Sequence, residues 1–196
     1  MSTAFEKEDI HYSYADYLEW DTGERYEIID GEAYMMSAPT IPYHTVSREL
    51  SGQFWMFLKG KLCRVFAAPL DVRLFPKEDE SDDTIVQPDI LVVCDRSKLA
   101  DNRSCRGAPD MVIEILSPSN SGNVMLLKFH KYLKAGVREY WLIDTETRII
   151  QVHILEKADG ALGGHYISTV YENPQALDVS ILPGLRIDFD SIWGEL

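Results

Sequence analysis

Two acids set against hydrophobic runs are the residues of this chain best able to do chemistry. Asp89 follows Pro88 and opens the run Ile90-Leu91-Val92-Val93, and Glu114 sits inside Met111-Val112-Ile113-Glu114-Ile115-Leu116. A carboxylate in a buried strand pattern is costly unless it is paired, bound to metal or turned toward a cleft. Glu114 therefore has two readings: a structural ion pair with Arg73 or Lys128, or a functional acid. Asp89 by itself reads as a turn acid at a strand start. Together, on adjacent strands, two such oxygen donors can hold a hard divalent cation such as Mg²⁺ or Mn²⁺ and leave positions for water and a phosphate oxygen.

The residues after Glu114 reverse the local charge. The chain has 19 Lys and Arg against 32 Asp and Glu, a formal charge of −13, yet Ile115 to Arg138 contains no acid and carries Lys128, Lys131, Lys134 and Arg138. At about 100° per residue, Lys131, Lys134 and Arg138 share one helix face, whereas Lys128 lies nearer the apolar edge that carries Tyr132 and is directed toward a sheet. An ammonium beside two metal-binding carboxylates can orient the attacking water and neutralise charge on the phosphorus centre, which is the minimum set for metal-assisted phosphodiester hydrolysis. For Lys131 and Lys134 a solvated basic face is the plainer reading. The overall charge argues against constitutive, charge-driven binding to nucleic acid or membrane, and limits any nucleic-acid affinity to a local surface.

These residues need elements to hold them. Ser13 with Asp16 three positions on is a capping-box spacing for a short helix that Gly23 ends. Arg25–Ile29 and Glu32–Met36 read as strands around an Asp30-Gly31 hairpin turn. From Tyr43 to Lys61, Val46, Leu50, Phe54, Phe57 and Leu58 recur at helical spacing and predict one long helix covering the sheet. Cys63–Ala68, Asp71–Phe75, Ile90–Cys94 and Met111–Leu116 read as strands, and Pro76–Asp83 as a solvated loop. A helix from Ser119 or Asn120 to Ala135 ends at Gly136, followed by strands at Glu139–Ile143, Thr147–Leu155 and His165–Tyr171 and a tail at Val179–Phe189. The 196 residues, 45% hydrophobic, make one α/β or α+β domain with a mixed sheet rather than two domains.

Several devices are missing from the sequence: a Walker glycine loop, Gly-x-Gly-x-x-Gly, a Gly-x-Ser-x-Gly elbow and His-Glu-x-x-His. The five histidines are scattered, with no pair at ligand spacing. Cys63, Cys94 and Cys105 form no Cys-x-x-Cys pair, so they read as core or surface thiols. No apolar run approaches the roughly 20 residues of a membrane span. Met1 to Tyr17 has neither a basic n-region nor an apolar h-region, which makes the cytoplasm the expected location.

Pro88-Asp89, Val112-Ile113-Glu114-Ile115-Leu116-Ser117-Pro118-Ser119, Lys128 with Tyr132, Gly136-Val137, Glu139-Tyr140-Trp141 and Asp144 resemble the Uma family of endonucleases, within the restriction-endonuclease-like PD-(D/E)XK superfamily. Tyr26-Glu27-Ile28-Ile29-Asp30-Gly31-Glu32, with His44 soon after Pro39 and Pro42, matches its N-terminal pattern, so the resemblance runs from about Tyr14 to Leu185. It implies a restriction-endonuclease-like mixed β-sheet flanked by helices, with additional β-hairpins. It implies Asp89 and Glu114 as catalytic metal ligands for Mg²⁺ or Mn²⁺, with the Ile115 carbonyl as a third ligand. Leu116 stands where the superfamily usually has its Lys, and Lys128 on the following helix is the matching amine. Glu27 and His44 are further site candidates, and Lys131, Lys134 and Arg138 would track the backbone of a nucleic acid, DNA first. The family resemblance also implies a homodimer, for which Tyr140, Trp141 and Tyr166 offer an aromatic surface. Val124 departs from the pattern, which usually has Asp there, and keeps a catalytically silent binding module as the alternative.

Overall fold

A computed structural model describes residues 10–116, 122–157 and 164–196. Its central strand is β8 (Met111–Leu116), in which the period of two sorts the side chains between two cores. Met111, Ile113 and Ile115 face α2 (Ile41–Leu58) and α4 (Phe189–Gly194), while Val112 joins the opposite core with Tyr132 and Tyr140. Glu114 shares the parity of Val112 and so points to that second side. The six-stranded sheet runs β11 (Gly164–Glu172), β10 (Ile149–Lys157), β9 (Glu139–Asp144), β8, β6 (Ile90–Val93), β3 (Arg64–Ala67). Its pairs are antiparallel except β8 with β9, because α3 (Gly122–Ala135) carries the chain across between those two.

A five-stranded sheet completes the second side, in the order β2 (Glu32–Met35), β1 (Tyr26–Ile29), β5 (Ile85–Val86), β4 (Asp71–Arg73), β7 (Ser104–Arg106). β1 and β2 join through Asp30 and Gly31 at φ 52° and 79°, the left-handed pair that the Asp-Gly signal requires. α1 (Tyr14–Leu18) has the capping box between Ser13 and Asp16. Thr40 caps α2 by accepting from the Tyr43 N–H, and Val46, Leu50, Phe54 and Leu58 bury its inner stripe at four-residue spacing. The helix thus runs from Ile41 to Leu58 rather than from Tyr43 to Lys61. α3 ends on Gly136 at φ 88°, as its spacing predicts, whereas the predicted start at Ser119 or Asn120 lies outside the described residues. The tail forms the small pair β12 (Ala176–Asp178) and β13 (Arg186–Asp188) before α4. Among the described residues no helix is long and apolar enough to cross a membrane.

Four sequence expectations change. β5 and β7 are two and three residues long, too short to show a period, and go unread in the sequence. The acidic loop is not wholly solvated: Asp82 is buried and pairs with the buried Arg73, whose Nε donates to Asp82 Oδ2 at 2.8 Å. That pairing also removes Arg73 as a partner for Glu114. Cys63 and Cys94 are joined as a disulfide rather than free, because Arg64 pairs with Val93 across β3 and β6 and brings the flanking cysteines face to face. Tyr140 and Trp141 are at most 1% exposed and cannot supply a dimer surface, since β9 lies inside the sheet and is covered on both faces.

The Arg73–Asp82 pair joins β4 to the acidic loop in the interior, and Arg73 also sits 4.3 Å from the Tyr14 ring centroid. Removing Asp82 leaves the buried Arg73 guanidinium only the partly exposed Glu80 carboxylate, 3.8 Å away, as a counter-charge. Asp82→Ala is expected to cost about 3–5 kcal/mol in urea unfolding, against under about 1 kcal/mol for Asp178→Ala at the exposed pair with Arg186.

Candidate functional site

The parity of β8 aims Glu114 at α3, where Lys128 and Tyr132, four residues apart, lie one above the other on the inner face. Both reach the same carboxylate oxygen: Lys128 Nζ is 2.6 Å and Tyr132 Oη 2.6 Å from Glu114 Oε1, each donating to it. The ammonium also donates to Glu27 Oε1 at 2.8 Å, and Glu27, delivered by β1 of the other sheet, accepts the Gln87 N–H at 2.7 Å as well. Asp89 stands where the chain enters β6. Its Oδ1 accepts from the Tyr43 hydroxyl at 2.6 Å and its Oδ2 from the Ile115 N–H at 2.6 Å. Glu27, Asp89, Glu114 and Lys128 line one cleft of about 350 Å³.

All four are less than 10% exposed, so three carboxylates share a single buried ammonium. Burial pushes the Glu114 carboxyl up to about 8; Lys128 pulls it back, and Asp89 and Glu27 push it further up. Asp89 is also raised, first by burial, against hydrogen bonds from Tyr43 and Ile115 that lower it. Burial would lower the Lys128 ammonium, but Glu114 and Glu27 outweigh it and hold the group protonated. With all three ionised, these carboxylates carry two negative charges more than Lys128 offsets, and Arg25 on the cleft wall balances one of them.

A remaining negative charge suits a cation in sign, and the donors are hard oxygens. Among the described residues no three His, Cys, Asp or Glu side chains converge as a metal cage. The fitting donor set is the pair Asp89 and Glu114 with Ile115 at the cleft wall, and water in the remaining positions, an arrangement Mg²⁺ tolerates because it dehydrates reluctantly.

Of the residues singled out in the sequence, Asp89, Glu114, Ile115, Lys128 and Glu27 come together here. His44 does not line the cleft. It is exposed, with its ring centroid 5.4 Å from that of Tyr43, and the preceding residue is the one that reaches Asp89. The basic residues also lie elsewhere: Lys131 pairs with Asp30, Lys134 sits 5.3 Å over the Phe75 ring, and Arg138 is 3.3 Å from Asp110. Three site residues escape sequence reading. Tyr43 looks like any first-turn helix residue, Gln87 like a strand-end amide, and Arg25 like a surface charge before a hairpin. Arg25 lines the cleft and is braced by Nε and Nη2 donating to Gln87 Oε1 at 2.9 and 2.6 Å. Behind Glu114, the buried Tyr140 hydroxyl has no partner among the described residues. Val124, where the resemblance leads one to expect Asp, lines the cleft one helical turn before Lys128.

Comparison with known proteins adds three matches. A family model described as "Uma2: Putative restriction endonuclease" matches residues 14–190. An uncharacterized protein of Synechocystis sp. is 25% identical over 182 residues, covering 91% of this chain and 89% of the relative. A crystal structure of "a putative nuclease belonging to DUF820" from Anabaena variabilis superposes with a TM-score of 0.73 at 22% identity, covering 93% of this chain and 98% of that one. At that identity the superposition shows the fold.

The charge surplus has a cost in stability with a definite sign. The folded Glu114 carboxyl titrates above its ordinary value of 4.5, near 8, so the folded protein holds a proton that the unfolded chain releases in between. Its contribution is present below the unfolded value and lost as pH rises through the folded one. Glu114→Gln removes the buried repulsion and leaves Lys128 paired with Glu27. In urea unfolding without metal, the variant is expected to exceed the wild type by about 1–2 kcal/mol at about pH 9, with the gap closing toward about pH 5.

Proposed function

Because this chain belongs to the Uma2 family, we propose that it is a metal-dependent nuclease whose cleft hydrolyses phosphodiester bonds of nucleic acid, DNA first. The observation that carries this reading is the convergence of three buried acids, Glu27, Asp89 and Glu114, on one cleft with the fixed Lys128 ammonium. Support comes also from the family description, "Putative restriction endonuclease", and from the similar Anabaena protein, described as "a putative nuclease".

Asp89 and Glu114 would hold Mg²⁺ or Mn²⁺, with the Ile115 carbonyl as a third donor. When bound, the cation supplies Lewis-acid polarisation of a phosphoryl oxygen and lowers the pKa of a coordinated water. Lys128 keeps its proton, so its part is to orient the attacking water and offset phosphorane charge rather than to act as a base. Glu27 also accepts from that ammonium, at 2.8 Å, and helps fix its position. Tyr43 and the Ile115 N–H fix both oxygens of Asp89. Arg25 is the other cation of the cleft wall, and its unspent N–H groups suit a phosphate oxygen of the substrate. Backbone tracking thereby moves from Lys131, Lys134 and Arg138, each already engaged with an acid or an aromatic ring, to Arg25.

A second reading, a nuclease-like binding module without turnover, draws on Val124: an apolar side chain lines the cleft where the family pattern has an acid.

Nicking of supercoiled plasmid with Mn²⁺ at low salt separates the two. The wild type is expected to nick, and Glu114→Gln and Lys128→Ala to lose at least about a hundredfold in rate. Equal nicking by both variants contradicts the residue roles, and no cleavage of any nucleic acid favours the binding module. Arg25→Ala is expected to weaken DNA association and reduce the magnitude of the log-affinity against log-salt slope by about 0.9, the value for one phosphate contact. An unchanged slope removes Arg25 from the interface.

A further inference from the structure

β11 is nine residues long, the outermost strand of the six-stranded sheet, and among the described residues it is paired only with β10. The ladder determines which of its backbone groups are spare. Leu155 N donates to Arg138 O and Asn173 N to Arg148 O. Alternation along an antiparallel pair then turns the odd-numbered residues of β11 toward β10 and leaves the N–H and C=O groups of Tyr166, Ser168, Val170 and Glu172 facing outward. The nine-residue register with β10 is continuous, so no bulge bends this edge away.

Side chains do not protect it either. From Ile167 to Glu172 every residue is exposed, with Ile167 at 49%, Val170 at 58% and Tyr171 at 37%. The strand contains no Pro, Lys or Arg, the usual devices that keep an edge from pairing. The opposite edge of the sheet, β3, has four residues and begins with Arg64.

We propose that the outer edge of β11 pairs antiparallel with β11 of a second copy of this chain, joining two six-stranded sheets across a two-fold axis. Charge on the strand itself permits a second copy as the occupant. Two chains of −13 repel over most of their surfaces, but β11 carries one carboxylate, Glu172 at its end, and antiparallel pairing sends the two copies of it to opposite ends. The strand is also complementary to itself. With the axis normal to the sheet at Ser168, outward-facing even residues meet one another, and Tyr166 lies against Val170 of the second copy, twice. This surface replaces the buried Tyr140 and Trp141 as the dimer interface.

The pairing does not depend on the nuclease reading, but it has a consequence for it. An axis normal to the sheet keeps each face on its own side, so both clefts open on the same face of the joined sheet. The two copies of β8 stand seven strand spacings apart, roughly 34 Å at about 4.8 Å each.

Sedimentation equilibrium of the full chain tests the interface. The wild type is expected to show a concentration-dependent dimer. Val170→Pro removes an outward N–H without touching the β10 ladder, and Ile167→Lys with Val170→Lys sets one ammonium on each face of the edge. Both variants are expected to be monomeric with the far-ultraviolet circular dichroism of the wild type; if Val170→Pro alters that spectrum, the lysine pair decides. A wild type that stays monomeric at its highest soluble concentration overturns the proposal, as does a dimer that survives in correctly folded lysine-pair protein.

Discussion

One ammonium without enough charge to balance its neighbours governs this protein. Lys128 of α3 is 2.6 Å from Glu114 of the six-stranded sheet and 2.8 Å from Glu27 of the five-stranded one, in a space that excludes most water. It ties the helix and the two sheets together at one point. Burial makes each contact stronger than it would be at the surface, and for the same reason makes the surplus of carboxylates costly. The cleft is therefore both a clasp and a store of electrostatic strain.

Much of the surrounding fold serves to keep that balance from failing. Tyr132 and Tyr43 give phenolic hydrogens to Glu114 and Asp89, and Ile115 gives Asp89 a backbone N–H. Each donor offsets part of the desolvation of an acid without adding charge. The hydrophobic stripe of α2 positions Tyr43, because Val46, Leu50 and Phe54 seat the helix on the sheet with its first turn over Asp89. Gln87 links Glu27 to Arg25 through its backbone and side chain, so an acid and a cation two residues apart in the sequence share one support.

How much of this is legible in the sequence differs by residue. Glu114 and Lys128 stand out because each breaks a pattern: an acid within an apolar strand, and a lysine on the apolar edge of a helix. Asp89 is legible through its strand start and through family resemblance, and Glu27 through resemblance alone. His44 and the basic trio carry the right chemistry, but the fold gives His44 to solvent and the trio to other partners. Asp82 reads as a loop acid by composition, yet it is buried, because Arg73 in β4 needs a counter-charge inside the protein.

The sequence by itself determines the local elements and their faces. Periods of two and of about four residues, the Asp30-Gly31 turn and the Ser13–Asp16 capping box are set by contacts within a few residues, so composition and spacing suffice to read them. Only the tertiary structure decides which groups meet across 101 residues, as Lys128 and Glu27 do, or across 46, as Tyr43 and Asp89 do. It also decides that Cys63 faces Cys94 and that β11, among the described residues, is paired on one edge only. The physical reason is that strand register and helix docking depend on summed burial over the whole chain, and no short window of sequence contains that sum.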